Sequence, residues 1–184
     1  PLQLTDETSI DLGVKIIRAT RAAMGNEYPE KNGDEVSFKL FEEGRLGRKT
    51  NAGFYDYDEK GKRTYLWNGL NETWPVKKHQ PKFEEIKNRL MLSQVLEAVK
   101  AFEEGVLEDI REGDVGAILG WGFAPWSGGP FGWVDMVGIQ NVVNMCNTLS
   151  ESEGQRFVAP KILLDMAKNN ETFYGKFIKN KNAA

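Results

Sequence analysis

Residues 1–14 read Pro-Leu-Gln-Leu-Thr-Asp-Glu-Thr-Ser-Ile-Asp-Leu-Gly-Val, and residues 130–143 read Pro-Phe-Gly-Trp-Val-Asp-Met-Val-Gly-Ile-Gln-Asn-Val-Val. The two stretches share a proline, an aspartate, an isoleucine and a valine at one fixed offset of 129 positions. Apolar residues recur in both at helical spacing, which predicts one helix from the start to about residue 24 and another over about residues 131–149. Matching helices at a fixed offset indicate an internal repeat of two related helical units.

The residues that follow each stretch match more weakly but in the same order. Lys39-Leu40 and Phe54-Tyr55 recur as Lys161-Ile162 and Phe173-Tyr174, at offsets of 122 and 119. The drift of the offset indicates loops of different length in the two copies. Only the second copy has a long helix, over about residues 82–104, and a glycine-rich loop before its proline. We therefore expect the first copy to be truncated on its N-terminal side.

These patterns predict an all-α protein of tandem helical repeats with one small β-hairpin. The hairpin is expected where the aromatic runs Gly53-Phe-Tyr-Asp-Tyr57 and Thr64-Tyr-Leu-Trp67 flank a turn. Residues 68–81 contain Asn-Gly, Trp-Pro and Gln-Pro and are predicted to be an extended linker. The expected domains are a truncated first repeat over 1–67, the linker over 68–81, and a second repeat over 82–184.

Composition excludes several classes of function. The 184 residues include one cysteine and one histidine, so Cys146 cannot form an internal disulfide and His79 has no imidazole partner. No metal site is predicted. A net charge of −3 gives no large electrostatic attraction to nucleic acid. No apolar run reaches the roughly 18 residues of a membrane span. The expected location is the reducing cytoplasm.

Two loops contain residues suited to ligand binding, each with a simpler interpretation. Gly120-Trp-Gly-Phe follows a predicted helix, not a strand, so it is not a dinucleotide fingerprint. The glycines around it permit tight packing, or the aromatic residues form a wall over a ligand: Trp121, Phe123, Pro125 and Trp126. Arg45, Arg48 and Lys49 form either a solvated basic loop or a phosphate contact.

Several of these motifs resemble one known family. They are Pro1 to Gly13, Gly44-Arg-Leu-Gly-Arg-Lys-Thr-Asn-Ala-Gly-Phe-Tyr-Asp-Tyr57, Glu103-Glu-Gly-Val106 and Gly120-Trp-Gly-Phe-Ala-Pro-Trp-Ser-Gly-Gly-Pro130. They resemble the C-terminal helical domains of 3-hydroxyacyl-CoA dehydrogenases, most of all those of multifunctional fatty-acid β-oxidation enzymes of the α-subunit type. The resemblance implies tandem copies of the 6-phosphogluconate dehydrogenase C-terminal-domain-like fold.

The family oxidises an L-3-hydroxyacyl-CoA with NAD, using a histidine base and a glutamate in a preceding Rossmann domain. That domain, which binds NAD in the parent enzyme, is not part of this sequence, so the resemblance implies no catalytic and no cofactor-binding residue here. Asn88-Arg89 match an asparagine-arginine pair that the family uses for catalysis only in its first copy. Some members place a tyrosine near the acyl-CoA where this chain has Leu119, which makes Leu119, Gly120 and Trp121 the candidate substrate contacts.

The resemblance implies that this fragment closes the substrate cleft and packs domain or subunit interfaces in the parent enzyme. Its expected partners are acyl-CoA, the remaining domains and a second copy of the chain, and the isolated chain is expected to be inactive. Two alternatives stay open. The parent is a dehydrogenase without a hydratase domain, or the chain is a free-standing interaction module without catalysis.

Overall fold

The computed structural model describes residues 2–29 and 32–178, which divide into two compact units at residues 79 and 80. The prediction of an all-α protein with one small hairpin is confirmed. Within the described ranges, no helix has both the length and the apolar character that a membrane span needs. Pro1, which belongs to the sequence repeat, lies outside the described residues.

The described residues of the first unit form four α-helices and the hairpin: α1 (Leu2–Thr8), α2 (Ile10–Met24), α3 (Asn32–Glu42), β1 (Tyr55–Tyr57), β2 (Arg63–Leu66) and α4 (Gly69–Thr73). Helices α2 and α3 pack against each other, and the antiparallel strands pair Tyr55 with Leu66. The buried core is small and consists of Ile10, Leu40 and Phe54. Arg18 adds cation–π contacts at the edge of this core by lying over the rings of Phe38 and Phe41.

The second unit, up to residue 178, forms six α-helices: α5 (Phe83–Glu103), α6 (Ile110–Trp121), α7 (Pro130–Val137), α8 (Ile139–Glu153), α9 (Lys161–Lys168) and α10 (Phe173–Phe177). Its core is much larger, and α5 contributes Leu92, Val95, Leu96 and Val99. Phe102, Phe131 and Phe173 pack edge to face within this core. The Glu103 carboxylate accepts the N–H of Ile162 at 2.6 Å, which satisfies one free donor at the start of α9.

Both long repeat helices are broken, where the sequence predicted continuous ones. The first breaks at Ser9 and the second at Gly138, which is the equivalent position in the repeat. Both residues have almost the same backbone angles, φ 83° and ψ 125° at Ser9 against φ 89° and ψ 128° at Gly138. A positive φ cannot continue a right-handed helix, so the chain turns at this point in both copies.

The expectation of an extended segment over residues 68–81 is wrong for its first part. Residues 69–73 form α4, and Leu70 in this helix packs against the core of the first unit. Trp74 donates its backbone N–H to the Leu70 carbonyl at 2.8 Å, and its own backbone angles, φ −127° and ψ 78°, end the helix. The burial of Leu70 stabilises a turn of helix that local sequence preference does not indicate. The domain boundaries at 67 and 82 stay predictions.

Candidate functional site

The motif of residues 44–57 surrounds a buried aspartate of α1. The Asp6 carboxylate accepts the N–H groups of Phe54 and Tyr55 at 2.8 and 3.0 Å and the Tyr57 hydroxyl at 2.9 Å. A Cβ atom at Gly53 would lie 2.1 Å from Asp6 Oδ1, so only glycine fits there. Burial, with the hydrogen bond to Asp6, raises the pKa of Tyr57 to about 12. These residues connect α1 to the hairpin, and their role is structural.

The second unit repeats this connection with its own aspartate. Asp135, 129 positions after Asp6, accepts the N–H groups of Phe173 and Tyr174 at 2.7 and 2.9 Å. Asn51 and Asn170 precede the two donor pairs at equivalent positions and both have positive φ, 53° and 52°. The repeat predicted from residue spacing is therefore confirmed by hydrogen bonds that link the same two segments in each unit.

Asp114 is a buried carboxylate that was not among the residues predicted from the sequence. Its buried carboxylate accepts the N–H groups of Phe131 and Gly132 at 2.7 and 3.0 Å and the Tyr174 hydroxyl at 2.9 Å. Burial raises the pKa of Asp114, and burial with this hydrogen bond raises that of Tyr174 to about 12. Asp114 is the one charged residue among the last nine positions of α6, which could have signalled such a role. It binds the free N–H groups at the start of α7 and thereby holds α6, α7 and α10 together.

The glycine-rich loop before Pro130 is explained by the same aspartate. A Cβ atom at Gly129 would lie 2.4 Å from the Asp114 Cβ, and Gly129 has a φ of 108°. The packing interpretation thus holds for Gly129, whereas a Cβ atom at Gly120 would meet nothing within 4 Å. The aromatic wall is wrong as a single surface, because Phe123 lies in the core whereas Trp126 is 68% exposed.

The basic residues Arg45, Arg48 and Lys49 do not converge on one ligand position. Arg45 donates to the Gly53 carbonyl at 2.9 Å, pairs with Asp56 at 2.5 Å and lies 4.5 Å from the centre of the Trp67 ring. Lys49 pairs with Asp11 at 2.5 Å and holds the pKa of that carboxyl well below its usual range. Arg48 pairs with Glu7 and remains half exposed.

The three candidate substrate residues lie at the end of α6, beside a cavity of about 710 Å³ between α5 and α6. Gly120 and Trp121 line this α5–α6 cleft, and the Trp121 Nε1 donates to Gln94 Oε1 at 3.2 Å. Leu119 does not line it and is 81% exposed. The floor consists of small or apolar residues, namely Ala98, Ala101, Leu107, Gly113, Gly116 and Ala117. Such a cleft is suited to a hydrocarbon chain or an apolar side chain.

The segment Gly120–Phe123 does not fit the diphosphate of NAD. It lies at the C-terminal end of α6, where Gly122 has a φ of 73° and ends the helix. Carbonyl oxygens at a helix C-terminus carry partial negative charge, whereas dinucleotide sites use the N–H groups of an N-terminus. No step of a reaction with NAD is therefore assigned to these residues.

The remaining reactive side chains are held apart. Burial raises the pKa of the Cys146 thiol to about 11 in the core of the second unit. Arg89 pairs with Glu153 at 2.5 Å, and Asn88 lines a separate cavity of about 380 Å³. Among residues 2–29 and 32–178, no three His, Cys, Asp or Glu side chains are grouped so that they could hold a metal ion.

The part of the chain that contains the Asp6 connection is similar to one known family of domains. Residues 1–57, which contain the whole connection, match the family model described as "3-hydroxyacyl-CoA dehydrogenase, C-terminal domain". The dehydrogenase part of a multifunctional enzyme from C. elegans has the same fold, with a TM-score of 0.62 and 23% identity. The match covers 90% of this chain and 38% of that one. The family resemblance predicted from the sequence is confirmed.

Particular relatives extend the match through the second unit. The chain is 37% identical over 177 residues to the fatty acid oxidation complex subunit alpha of Vibrio cholerae. It is 34% identical over 175 residues to the subunit of the same name from Vibrio vulnificus. Each alignment covers 95% of this chain and 24% of the relative. The chain thus spans about a quarter of the length of the curated relatives that it matches.

Proposed function

We propose that this chain is the C-terminal helical part of an enzyme that oxidises L-3-hydroxyacyl-CoA to 3-ketoacyl-CoA with NAD in fatty-acid β-oxidation. The observation that carries the proposal is the similarity of 95% of the chain to fatty acid oxidation complex α subunits. NAD is bound by another domain of that parent enzyme. The single buried cysteine is in keeping with a reducing compartment, and we assign the parent to the cytoplasm.

The role of this part is to close the acyl-CoA cleft and to pack against other domains. The α5–α6 cleft supports the first role, because its apolar floor and the Trp121 indole suit an acyl chain. Exposed apolar side chains support the second role, since Val115 and Leu119 lie one turn apart on α6 and are 56% and 81% exposed. A second copy of this chain is a further partner for such surfaces.

The first test compares the isolated chain with the parent enzyme. The purified 184-residue chain is mixed with 3-hydroxybutyryl-CoA and NAD, and NADH formation is followed by absorbance. We expect no turnover above background, with full turnover from the parent enzyme as the control. Turnover by the isolated chain near the parent's rate would contradict the assignment of catalysis to other domains.

The second test concerns the cleft. In the parent enzyme, Trp121→Ala removes one aromatic contact and should raise KM for a medium-chain 3-hydroxyacyl-CoA about tenfold with little change in kcat. Trp126→Ala is the matched control, because Trp126 is similarly exposed but does not line the cleft. Equal KM values for the two variants would remove Trp121 from the proposed substrate contacts.

The gene sequence upstream of this chain distinguishes the alternative parent proteins. An upstream frame that encodes a Rossmann domain with a His/Glu pair supports a dehydrogenase, and a further hydratase-like segment identifies the multifunctional type. A frame without a Rossmann domain would favour the interaction module.

A further inference from the structure

A polar cavity of about 410 Å³ lies in the first unit between α1, the short turn Arg48–Thr50 and the β-hairpin. Four cationic side chains line it: Arg48, Lys60, Lys62 and Arg63. Glu7 is the one carboxylate among the lining residues. This concentration of positive charge stands out in a chain whose net charge is −3. None of these residues lines the α5–α6 cleft that is proposed above as the substrate site.

The two arginines are held in place by neighbours. Arg48 Nη1 donates to both carboxylate oxygens of Glu7, at 3.1 and 3.2 Å. Arg63 Nη1 donates to Gln3 Oε1 at 2.7 Å, and its guanidinium lies 4.8 Å from the centre of the Tyr55 ring. Each guanidinium uses only one nitrogen in these hydrogen bonds, which leaves other N–H donors for a ligand. Because the arginine side chains are already held in place, they lose less conformational entropy when an anion binds.

The two lysines extend from a tight turn that is itself well fixed. Asp58 Oδ1 accepts the backbone N–H groups of both Lys60 and Lys62 at 2.9 Å. Gly61 between them has a φ of 71°, which a glycine adopts without strain. Neither ammonium group forms an ion pair with any residue in the described part of the chain. The turn therefore exposes two ammonium groups that are available to bind an anion.

We propose that this cavity binds a phosphate-bearing small molecule, with a diphosphate group as the best match. Two guanidinium groups offer the planar donors that pair with phosphate oxygens, and two ammonium groups add point charges. The volume suits a small ligand that carries two phosphates. The lining is mostly polar, which favours a soluble ligand over a membrane surface. The proposal does not depend on the proposed dehydrogenase function.

The test uses the 184-residue chain and inorganic pyrophosphate in isothermal titration at low ionic strength. We expect saturable binding with one site per chain and weaker binding of inorganic phosphate. The double variant Lys60→Gln/Lys62→Gln should weaken pyrophosphate binding about tenfold, because it removes two nearby charges. Lys78→Gln is the control, since Lys78 is exposed but does not line the cavity. Circular dichroism confirms that each variant is folded.

Three results would overturn the proposal. One is the absence of saturable pyrophosphate binding at concentrations up to about 10 mM. Another is equal weakening by the double variant and by Lys78→Gln, which would indicate general charge attraction. The last is binding to vesicles of phosphatidylcholine and phosphatidylserine without binding to pyrophosphate, which would assign the charges to a lipid surface.

Discussion

Helix α1 and helix α7 occupy equivalent places in the repeat but differ in what covers them. Phe131 and Trp133 of α7 are 0% and 4% exposed, whereas the equivalent Leu2 and Leu4 of α1 are 37% and 66% exposed. In the second unit α5 and α6 pack against α7. The aspartate connection to the following segment is nevertheless present in both units. Local hydrogen bonds therefore persist where the covering helices differ, and burial depends on those helices.

The largest expected change in stability comes from substitutions that test this difference in burial between α1 and α7. Trp133→Ala should lower the free energy of unfolding of the second unit by about 3–5 kcal/mol, because it leaves a cavity in the core. Leu4→Ala should change that of the first unit by no more than about 0.5 kcal/mol, because Leu4 is mostly exposed. Urea unfolding followed by far-ultraviolet circular dichroism measures both. A large loss for Leu4→Ala would show that α1 is covered in solution, and concentration-dependent sedimentation would identify a second copy as the cover.

The next largest change in stability is expected from removing the equivalent aspartates Asp6 and Asp135. Asp6→Ala leaves two N–H groups and the half-buried Tyr57 hydroxyl without an acceptor, and should lower the free energy of unfolding by about 3 kcal/mol. Asp135→Ala removes two hydrogen bonds at a half-buried site and should cost about 1–2 kcal/mol. Amide hydrogen exchange at Phe54 and Tyr55 should accelerate in the first variant and stay unchanged in the second. Unchanged exchange at both amides in Asp6→Ala would contradict the structural role of the residue 44–57 motif.

A smaller change in stability is expected when the residues at the shared helix break, Ser9 and Gly138, are exchanged. Gly138→Ser places a side chain at a φ of 89°, and should cost about 1–2 kcal/mol. The nearest neighbour of a Cβ atom there is Asn141 Nδ2 at 3.6 Å, so the cost comes from the backbone and not from a collision. Ser9→Gly relieves the same backbone strain but loses the hydroxyl hydrogen bond to Asp11, so its net effect should be within about 1 kcal/mol. Thermal unfolding measures both variants. Gly138→Ser without loss of stability would show that the break can shift to another backbone geometry.

The features that depend on a local pattern of residues, namely the helices and the repeat, could be predicted from the sequence. Apolar spacing predicted the helices, and residue identities predicted the repeat. The break at Ser9 had no local signal, because serine seldom adopts a positive φ. Helix α4 was missed because Leu70 is half-buried against core residues that are distant in sequence.

The candidate site was predictable only in part for the same reason. Gly120 and Trp121 were singled out by the glycine-aromatic motif and do line the α5–α6 cleft, although their contact with substrate stays a prediction. The opposite side of the cleft comes from α5, and no sequence pattern indicated which α5 residues would face it. The role of Asp114 depends on N–H groups 17 and 18 positions later. Such pairs form only when the helices pack together.

The smallest effect concerns the two tyrosines whose hydroxyls donate to buried aspartates. The folded-state pKa values of Tyr57 and Tyr174 are both raised to about 12 from an ordinary value of 10.0. The unfolded chain therefore releases these protons first, and stability that is present below pH 10 is lost as the pH rises toward 12. Tyr57→Phe should make this loss shallower in the first unit, and Tyr174→Phe should do so in the second. Urea titrations between pH 9 and about pH 11 measure the slopes, with Tyr65→Phe as the control because Tyr65 is 68% exposed. Identical slopes in all three variants would show that neither hydroxyl is held by its aspartate in solution, and that the connection rests on the backbone N–H groups alone.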